Sequence, residues 1–285
     1  MQVKIKLRSR RLLAAGIGCL ALATVVTTVV LPTARTPART AVRPSSTVAH
    51  APRPTAPRPT VPRPIVPRPT AHPSKSGLIQ RSQALASLLS AREAMSLPSE
   101  GSAPVSLIPA SRPITGEQTV LPVLARTTGI HGIRWLRVMI PGRPNGRTGW
   151  IEQSGTVSST TAWHIVVETA RRRVVVYDAG KAVRTFSAIV GTPSTPTPLG
   201  VFFVEEVVQM PPTSPGAPYA LALSARSAVF QTFDGGPGQI AIHGLENIGG
   251  VLGTDVSHGC VRLANAAMDW LVLHIASGVP VTVTS

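Results

Sequence analysis

The feature that most restricts how this chain folds is a proline-arginine repeat in its N-terminal part. Residues 52–70 read PRPTAPRPTVPRPIVPRPT, in which Pro-Arg-Pro returns every five residues. Proline fixes φ and removes a backbone donor, so the repeat predicts an extended polyproline II segment that forms no core. We therefore expect a Pro-rich disordered linker over residues 32–76, with the folded part of the protein after it.

The positive charge of the chain is concentrated in the same region. Residues 1–76 contain 13 of the 28 Lys and Arg residues and none of the 12 Asp and Glu residues, and the formal net charge of the chain is +16. The remainder is close to neutral, so no nucleic acid is predicted as a partner. A basic tail attracts polyanions, and the linker is therefore either an inert spacer or a ligand for polyanions such as anionic lipid or wall polymers.

An uncharged segment comes before the linker. Residues 12–31 are rich in Leu, Ala and Val, and they follow a basic cluster between Lys4 and Arg11. A stretch of about 20 apolar residues spans a bilayer as a helix, and the basic flank predicts a cytoplasmic N-terminus. Residues 1–31 are therefore predicted to be a membrane anchor or a cleaved signal peptide, and the rest of the chain is predicted to be extracytoplasmic.

The region after the linker predicts two small elements. The leucines of residues 78–95 fall on one helical stripe, which predicts a short amphipathic helix within a connector over 77–103. Residues 104–158 contain short β runs separated by Gly, Pro and Asn, with a hairpin signal at Asn145-Gly146. This second segment resembles a small SH3-like β unit.

Residues 159–285 predict a mainly β domain with one late helix. Three strands are expected in WHIVVETARRRVVVYDAGKAVRTFSAIVG at 163–191, and further strands in VFFVEEVV, in AVFQTFD at 228–234, in GQIAIHG and in VPVTVTS. The helix is expected over 264–277, with Gly278 as its C-terminal stop. β-strands therefore dominate the predicted C-terminal domain, and only one helix is expected in it.

Cys260 is the most informative single residue, because it is the one cysteine after Cys19. Exported cysteines usually pair, so an odd one indicates an intermolecular disulfide or a reactive thiol. His258 lies two residues before it, and His243 ends the apolar run IAIH. A thiol nucleophile needs a base and oxyanion donors, which the histidines and the backbone near Gly259 are placed to supply. Zinc would need a fourth ligand that is not evident, so no metal and no cofactor are predicted.

Two motifs together resemble a known enzyme family. His243-Gly244, followed after a loop by SHGCVR at residues 257–262, resembles the active-site signature of the L,D-transpeptidases, the YkuD family. VGTPSTPTPLGVF at 190–202 and FDGGPGQIAIHG at 233–244 are also similar to strands and loops of that family. The resemblance covers about residues 162–284.

The resemblance implies a β-sandwich-like catalytic domain that acts on peptidoglycan stem peptides. Cys260 would attack the carbonyl between the diamino acid and the terminal D-alanine of a tetrapeptide stem. D-Alanine would leave, and the side-chain amine of a second stem would resolve the thioester into a 3→3 cross-link. By position, His243 corresponds to the general base, while His258 would assist the substrate or the oxyanion.

The resemblance also implies supporting residues. Ser257 would hold the motif by hydrogen bonds, and backbone N–H groups near Gly259 and Cys260 would form an oxyanion hole. Gly244 stands where some members have Ser or Asp, so a carbonyl would have to orient the general base. Arg262 would bind a stem carboxylate or form an ion pair with Asp255 or Asp269, and Tyr219 would belong to a substrate lid.

Two other functions remain open at this point. In the first, water resolves the acyl-enzyme, and the protein is an L,D-carboxypeptidase or a related wall hydrolase. In the second, the protein is a non-catalytic wall-binding module that uses its tail and its SH3-like unit. A carbapenem adduct on Cys260 would separate the two enzymes from the binding module.

Overall fold

The computed structural model describes residues 79–233 and 235–285 of the chain. The predicted signal segment and the predicted linker lie outside these residues. Across the described ranges, the helical segments are too short or too polar to cross a membrane.

The first part of the described chain forms one seven-stranded sheet with the order β3-β2-β6-β5-β4-β1-β7. Its neighbouring strands pair antiparallel. A 3-10 turn occupies Ile130–Gly132. The strands are β1 Gln83–Leu88, β2 Arg92–Met95, β3 Pro104–Ile108, β4 Val120–Thr128, β5 Arg134–Met139, β6 Thr148–Glu152 and β7 Thr156–Thr161.

The amphipathic helix predicted for residues 78–95 is wrong, because this segment forms β1 and β2. The leucine stripe that suggested a helix is buried in a different way. Leu85 and Leu88 face the core, whereas Leu89 is 60% exposed. β1 pairs with β4 on one side and with β7 on the other, so strand pairing on both edges overrides the local helix propensity.

The β runs predicted within residues 104–158 are confirmed as β4, β5 and β6. The predicted hairpin joins β5 to β6, and Gly146 has the positive φ of 77° that such a turn favours. The sheet is larger than the predicted unit, because it also takes in β1 and β2. The likeness of this sheet to an SH3 barrel stays a prediction.

The C-terminal part is mainly β with a single α-helix in the described residues, as predicted. It is built on one eight-stranded sheet with the order β10-β9-β8-β17-β12-β13-β14-β16, accompanied by the parallel pair β11–β15. Its elements are β8 Trp163–Glu168, β9 Arg173–Asp178, β10 Lys181–Ser187, β11 Val190–Gly191, β12 Gly200–Gln209, β13 Tyr219–Arg226, β14 Gln239–His243, β15 Asp255–Ser257, β16 Val261–Arg262, α1 Asn265–Val272 and β17 Pro280–Thr284.

Three details of this domain differ from the sequence predictions. AVFQTFD at 228–234 forms no strand across its described residues, and the strand lies earlier, as β13. The predicted helix over 264–277 ends at Val272. Residues 273–278 form turns and irregular backbone instead of helix. Within them, Ile275 is buried in the core and 3% exposed.

Strand β12 joins the two sheets into one packed unit. Successive side chains of a strand point to opposite faces. Phe202 and Val204 therefore pack in the core of the C-terminal domain, while Phe203 packs between the side chains of the N-terminal sheet. Phe202 and Phe203 are each 1% exposed.

A buried charge cluster lies at the same junction. Glu205 is 1% exposed and forms ion pairs with Arg112 from the N-terminal part and with Arg226 at the end of β13, the latter at 2.9 Å. Its neighbour Glu206 accepts hydrogen bonds from the Thr115 N–H and hydroxyl, both at 3.0 Å. Burial lowers the pKa of Arg226 to about 10, against the opposing charge of Glu206, so the guanidinium stays charged at neutral pH.

Glu205→Gln is expected to destabilise the protein, because it leaves two buried guanidinium groups without this carboxylate. Removal of one member of a buried ion pair costs about 3–5 kcal/mol. Glu168→Gln is the matched control, since Glu168 also contacts two arginines but does so at the surface, where the loss is below about 1 kcal/mol. Urea unfolding of both variants measures the difference, and equal losses would contradict the assignment.

Candidate active site

Two neighbouring strands bring Cys260 and His243 together. β14 ends at His243, and β16 begins at Val261, directly after Cys260. These strands pair in parallel, with Ile242 opposite Val261 and His243 opposite Arg262. The thiol therefore sits at the entry of β16, beside the strand whose last residue carries the imidazole.

The thiol sulfur contacts β14 directly. The Ala241 N–H donates to Cys260 Sγ at 3.4 Å. Cys260 is half-buried and unpaired among the described residues, and both Cys260 and His243 line one pocket. The structure thus brings together the two groups that the sequence predicted to act together.

A tight turn fixes the backbone around the thiol. Ser257 is fully buried, its hydroxyl donates to the Cys260 carbonyl at 2.5 Å, and it accepts from the Gly259 N–H at 3.1 Å. Gly259 has a φ of 116°, which favours glycine. Because its N–H is bonded to Ser257, one of the amides predicted for an oxyanion hole is already in use, and the amide of Cys260 is the other.

The loop of residues 192–199, between β11 and β12, holds this turn in place by hydrogen bonds. The Thr192 N–H donates to the Ser257 carbonyl at 3.0 Å, and the Thr195 hydroxyl donates to the same oxygen at 3.1 Å. The segment that resembled the family on sequence therefore supports the turn that carries Cys260.

The imidazole of His243 is oriented by a backbone carbonyl. His243 Nδ1 lies 2.8 Å from the Gly244 carbonyl, and an N–H at Nδ1 that donates to this oxygen leaves Nε2 as a free acceptor. Gly216 closes the other side, since a Cβ there would lie 2.4 Å from Nδ1. Only glycine fits at that position, which no local sequence signal indicated.

The electrostatics of the pocket favour the neutral forms of both groups. Burial raises the pKa of the Cys260 thiol, although the Ala241 N–H and the charge of Arg262 act in the opposite direction. Burial lowers the pKa of His243, with the Gly244 carbonyl opposing and Arg262 reinforcing that shift. At neutral pH the free pocket therefore holds a thiol and a neutral imidazole rather than an ion pair.

Arg262 is 9% exposed and lines the same pocket. Its guanidinium reaches the Gly249 carbonyl at 3.5 Å, and its Nε is buried without a partner. The alternative of an ion pair with Asp255 or Asp269 is wrong, because no salt bridge of Arg262 occurs among the described residues, and Asp255 binds Arg172 at 2.6 Å. An unpaired buried cation in a pocket is suited to bind an anion.

Aromatic side chains form the outer edge of the pocket. His258 is exposed, and its ring centroid lies 5.8 Å from that of Phe230 and 6.1 Å from that of Phe233. The two phenylalanines line the pocket with His258, and sequence analysis missed them because AVFQTFD was interpreted as a strand.

Tyr219 does not line this pocket. It is the first residue of β13, opposite Gln209, and packs against the domain core. Within the described ranges no three His, Cys, Asp or Glu side chains are grouped to hold a metal ion.

The family comparison agrees with the site. Residues 162–283 match the sequence model of the YkuD family, which represents the L,D-transpeptidase catalytic domain. This segment is a YkuD L,D-transpeptidase catalytic domain. No curated protein matches the chain. The YkuD domain begins at the first strand of the eight-stranded sheet and contains every predicted site residue.

Solved structures similar to the chain include several L,D-transpeptidases. An L,D-transpeptidase from Mycobacterium smegmatis is 18% identical, with 58% of this chain and 99% of that chain covered and a TM-score of 0.33. The catalytic domain of the Enterococcus faecium enzyme is 23% identical, with coverage of 43% and 96% and a TM-score of 0.33. L,D-transpeptidase 3 from Mycobacterium tuberculosis, solved with a faropenem-derived adduct, is 16% identical, with coverage of 59% and 91% and a TM-score of 0.38.

Because burial raises the pKa of Cys260 in the YkuD domain, we expect the thiol to be alkylated slowly at neutral pH. The rate of reaction with iodoacetamide should rise through a midpoint above the ordinary thiol pKa of about 8.5. Mass spectrometry of the Cys260 peptide measures the rate separately from Cys19, and Cys260→Ser supplies the blank. A rate that is already maximal at neutral pH would instead indicate a thiolate-imidazolium pair.

Proposed function

We propose that this protein is a peptidoglycan L,D-transpeptidase that forms 3→3 cross-links through a cysteine acyl-enzyme. The observation that carries the proposal is that Cys260, His243 and Arg262 line one pocket of a YkuD domain. Arg262 has no ion-pair partner among the described residues. A thiol nucleophile and an oriented base suit acyl transfer from a peptide bond, and a cation beside them suits a leaving residue that ends in a carboxylate.

The first half-reaction begins from neutral groups. Cys260 Sγ attacks the carbonyl carbon between the diamino acid and D-alanine, and its proton passes to Nε2 of His243. The hydrogen bond between Nδ1 and Gly244 keeps Nε2 free to accept it. The C–N bond then breaks, the imidazolium returns the proton to the leaving amine, and D-alanine departs.

The negative charge of the tetrahedral intermediate needs donors. The N–H of Cys260 is the backbone group available beside the sulfur, because the N–H of Gly259 is held by Ser257. His258 borders the pocket from its exposed side, where its ring contributes to the binding of the substrate or the oxyanion.

The second half-reaction uses the same groups in reverse. The side-chain amine of a second stem attacks the thioester carbonyl, His243 accepts a proton from that amine, and the C–S bond breaks. The proton passes to the leaving sulfur, which restores the thiol. Attack by water in place of the amine would give an L,D-carboxypeptidase.

Peptidoglycan as the substrate implies a site of action outside the cytoplasm. The predicted anchor in residues 12–31 and the predicted linker over residues 32–76 would hold the YkuD domain between membrane and wall. In this arrangement the linker is a spacer with affinity for anionic wall polymers, and the N-terminal sheet is carried beside the catalytic domain.

The first test is intact mass spectrometry of the full-length protein incubated with a disaccharide-tetrapeptide, with and without a diamino-acid acceptor. We expect an acyl adduct that is absent in Cys260→Ser and passes to the acceptor as a cross-linked product. Free tripeptide alone would replace the proposal with a carboxypeptidase. If neither the tetrapeptide nor a carbapenem forms an adduct, the protein is a wall-binding module.

Arg262→Met tests the proposed anion site. A hydrogen bond to a charged group contributes about 1.5–3 kcal/mol, so KM for the tetrapeptide should rise at least about tenfold. The control is a tetrapeptide with a C-terminal amide in place of the D-alanine carboxylate, which the wild-type protein should use poorly. Equal discrimination between the two donors by both proteins would show that Arg262 does not bind the carboxylate.

A further inference from the structure

One wall of the pocket is a loop without regular structure. β13 ends at Arg226 and β14 begins at Gln239. The loop between them lines the pocket with Ser227, Phe230, Phe233 and Gly238. Two of these are the aromatic side chains that contact His258, so the position of the loop determines the shape of the pocket.

Most hydrogen bonds within the loop are local, and one joins its two ends, where the Ser227 N–H donates to the Gly238 carbonyl at 2.8 Å. The hydroxyl of Ser227 accepts from the N–H groups of Val229 at 3.2 Å and Phe230 at 3.0 Å. Phe233 and Gly236 exchange backbone hydrogen bonds at 3.0 and 2.9 Å. The contacts of the Ser227 hydroxyl and the Phe233–Gly236 pair form two separate turns, and the backbone bond from Ser227 to Gly238 closes the loop at its base.

An arginine from the N-terminal part of the chain binds several backbone carbonyls along the loop. Arg143 lies in the connection between β5 and β6, and its guanidinium donates to the carbonyls of Phe230 at 2.6 Å, Pro237 at 2.7 Å and Ser227 at 2.9 Å. A longer contact reaches Gln231 at 3.4 Å. A planar guanidinium offers several donors in fixed directions, which allows one side chain to bind both ends of the loop.

A neighbouring side chain anchors the same connection to β13. Asn145 Nδ2 donates to the Arg226 carbonyl at 2.8 Å, and its Oδ1 accepts from the Arg226 N–H at 2.8 Å. The amide therefore pairs with the backbone at the residue where the loop starts. This contact places Arg143 independently of the loop that it binds.

The packing around Arg143 is close. Gly238 has a φ of 62°, and a Cβ at this position would lie 2.1 Å from the Phe230 carbonyl oxygen and 3.0 Å from a terminal nitrogen of Arg143. The two ends of the loop thus approach each other around the guanidinium, with no space for a larger residue.

We propose that Arg143 is a positioning residue for the active site, and that the N-terminal sheet controls the substrate pocket through it. The proposal rests on the proposed function for the identity of the substrate. Arg143 holds the described residues of this loop, 227–233 and 235–238, as a wall, and through Phe230 and Phe233 it shapes the site where a stem peptide contacts the enzyme. A small reagent that meets only Cys260 Sγ does not use this wall.

The experiment compares Arg143→Ala and Arg143→Lys with the wild-type full-length protein. Arg137→Ala is the matched control, because Arg137 belongs to the same sheet and bonds Thr148 at its exposed surface. The readouts are hydrogen exchange of residues 227–238, KM and kcat for the disaccharide-tetrapeptide, and the rate of iodoacetamide alkylation of Cys260.

In Arg143→Ala we expect exchange of the loop to accelerate at least about tenfold and KM to rise about tenfold, the effect of losing a charged hydrogen-bond donor. We expect kcat and the alkylation rate to stay within about twofold, because the groups around Cys260 are unchanged. Arg143→Lys should restore only part of both effects, since an ammonium cannot reach both ends of the loop.

Loop exchange at the wild-type rate in Arg143→Ala would overturn the proposal, as would an equal effect in Arg137→Ala. A parallel fall in alkylation and acylation would also overturn it, because it would indicate general damage. If the wild-type protein does not react with the tetrapeptide, the proposed function fails, while loop exchange still decides whether Arg143 positions the pocket wall.

Discussion

The structure depends on a strand that serves two cores at once. β12 presents Phe202 to the core of the YkuD domain and Phe203 to the core of the N-terminal sheet. The position of each core depends on the other, because the apolar contacts on both faces belong to the same strand. The buried pairs of Glu205 with Arg112 and Arg226 then set the register of the junction with charges that tolerate little displacement.

The same junction reaches the pocket through a short path. Arg226 ends β13 and belongs to the buried charge cluster, and its backbone is also the group that Asn145 binds. From there the chain continues directly into the loop with Phe230 and Phe233. Arg226 therefore connects the packing between the two sheets with the position of Arg143 and with the loop that forms the pocket wall.

The sequence predicted what local patterns encode. Most strands of the YkuD domain follow from apolar runs in the sequence. The presence of Cys260 and His243 in one pocket follows from a compact motif. The helix expected over residues 78–95 was wrong because partners on both sides decide that segment. β13 was missed because Pro and Gly directly precede it and its first residue, Tyr219, was assigned to a substrate lid. Arg143 carries no local signal, since its acceptors lie 84 to 94 residues later in the chain.

The neutral state of Cys260 has a consequence for the lifetime of the protein. Oxidants and disulfides react with the thiolate, and burial holds this sulfur in its protonated form. Burial thereby protects Cys260, which is unpaired among the described residues, while the pocket is empty. In the proposed mechanism, deprotonation is coupled to attack on the substrate, so the burial that slows reaction with oxidants would also preserve the thiol between turnovers.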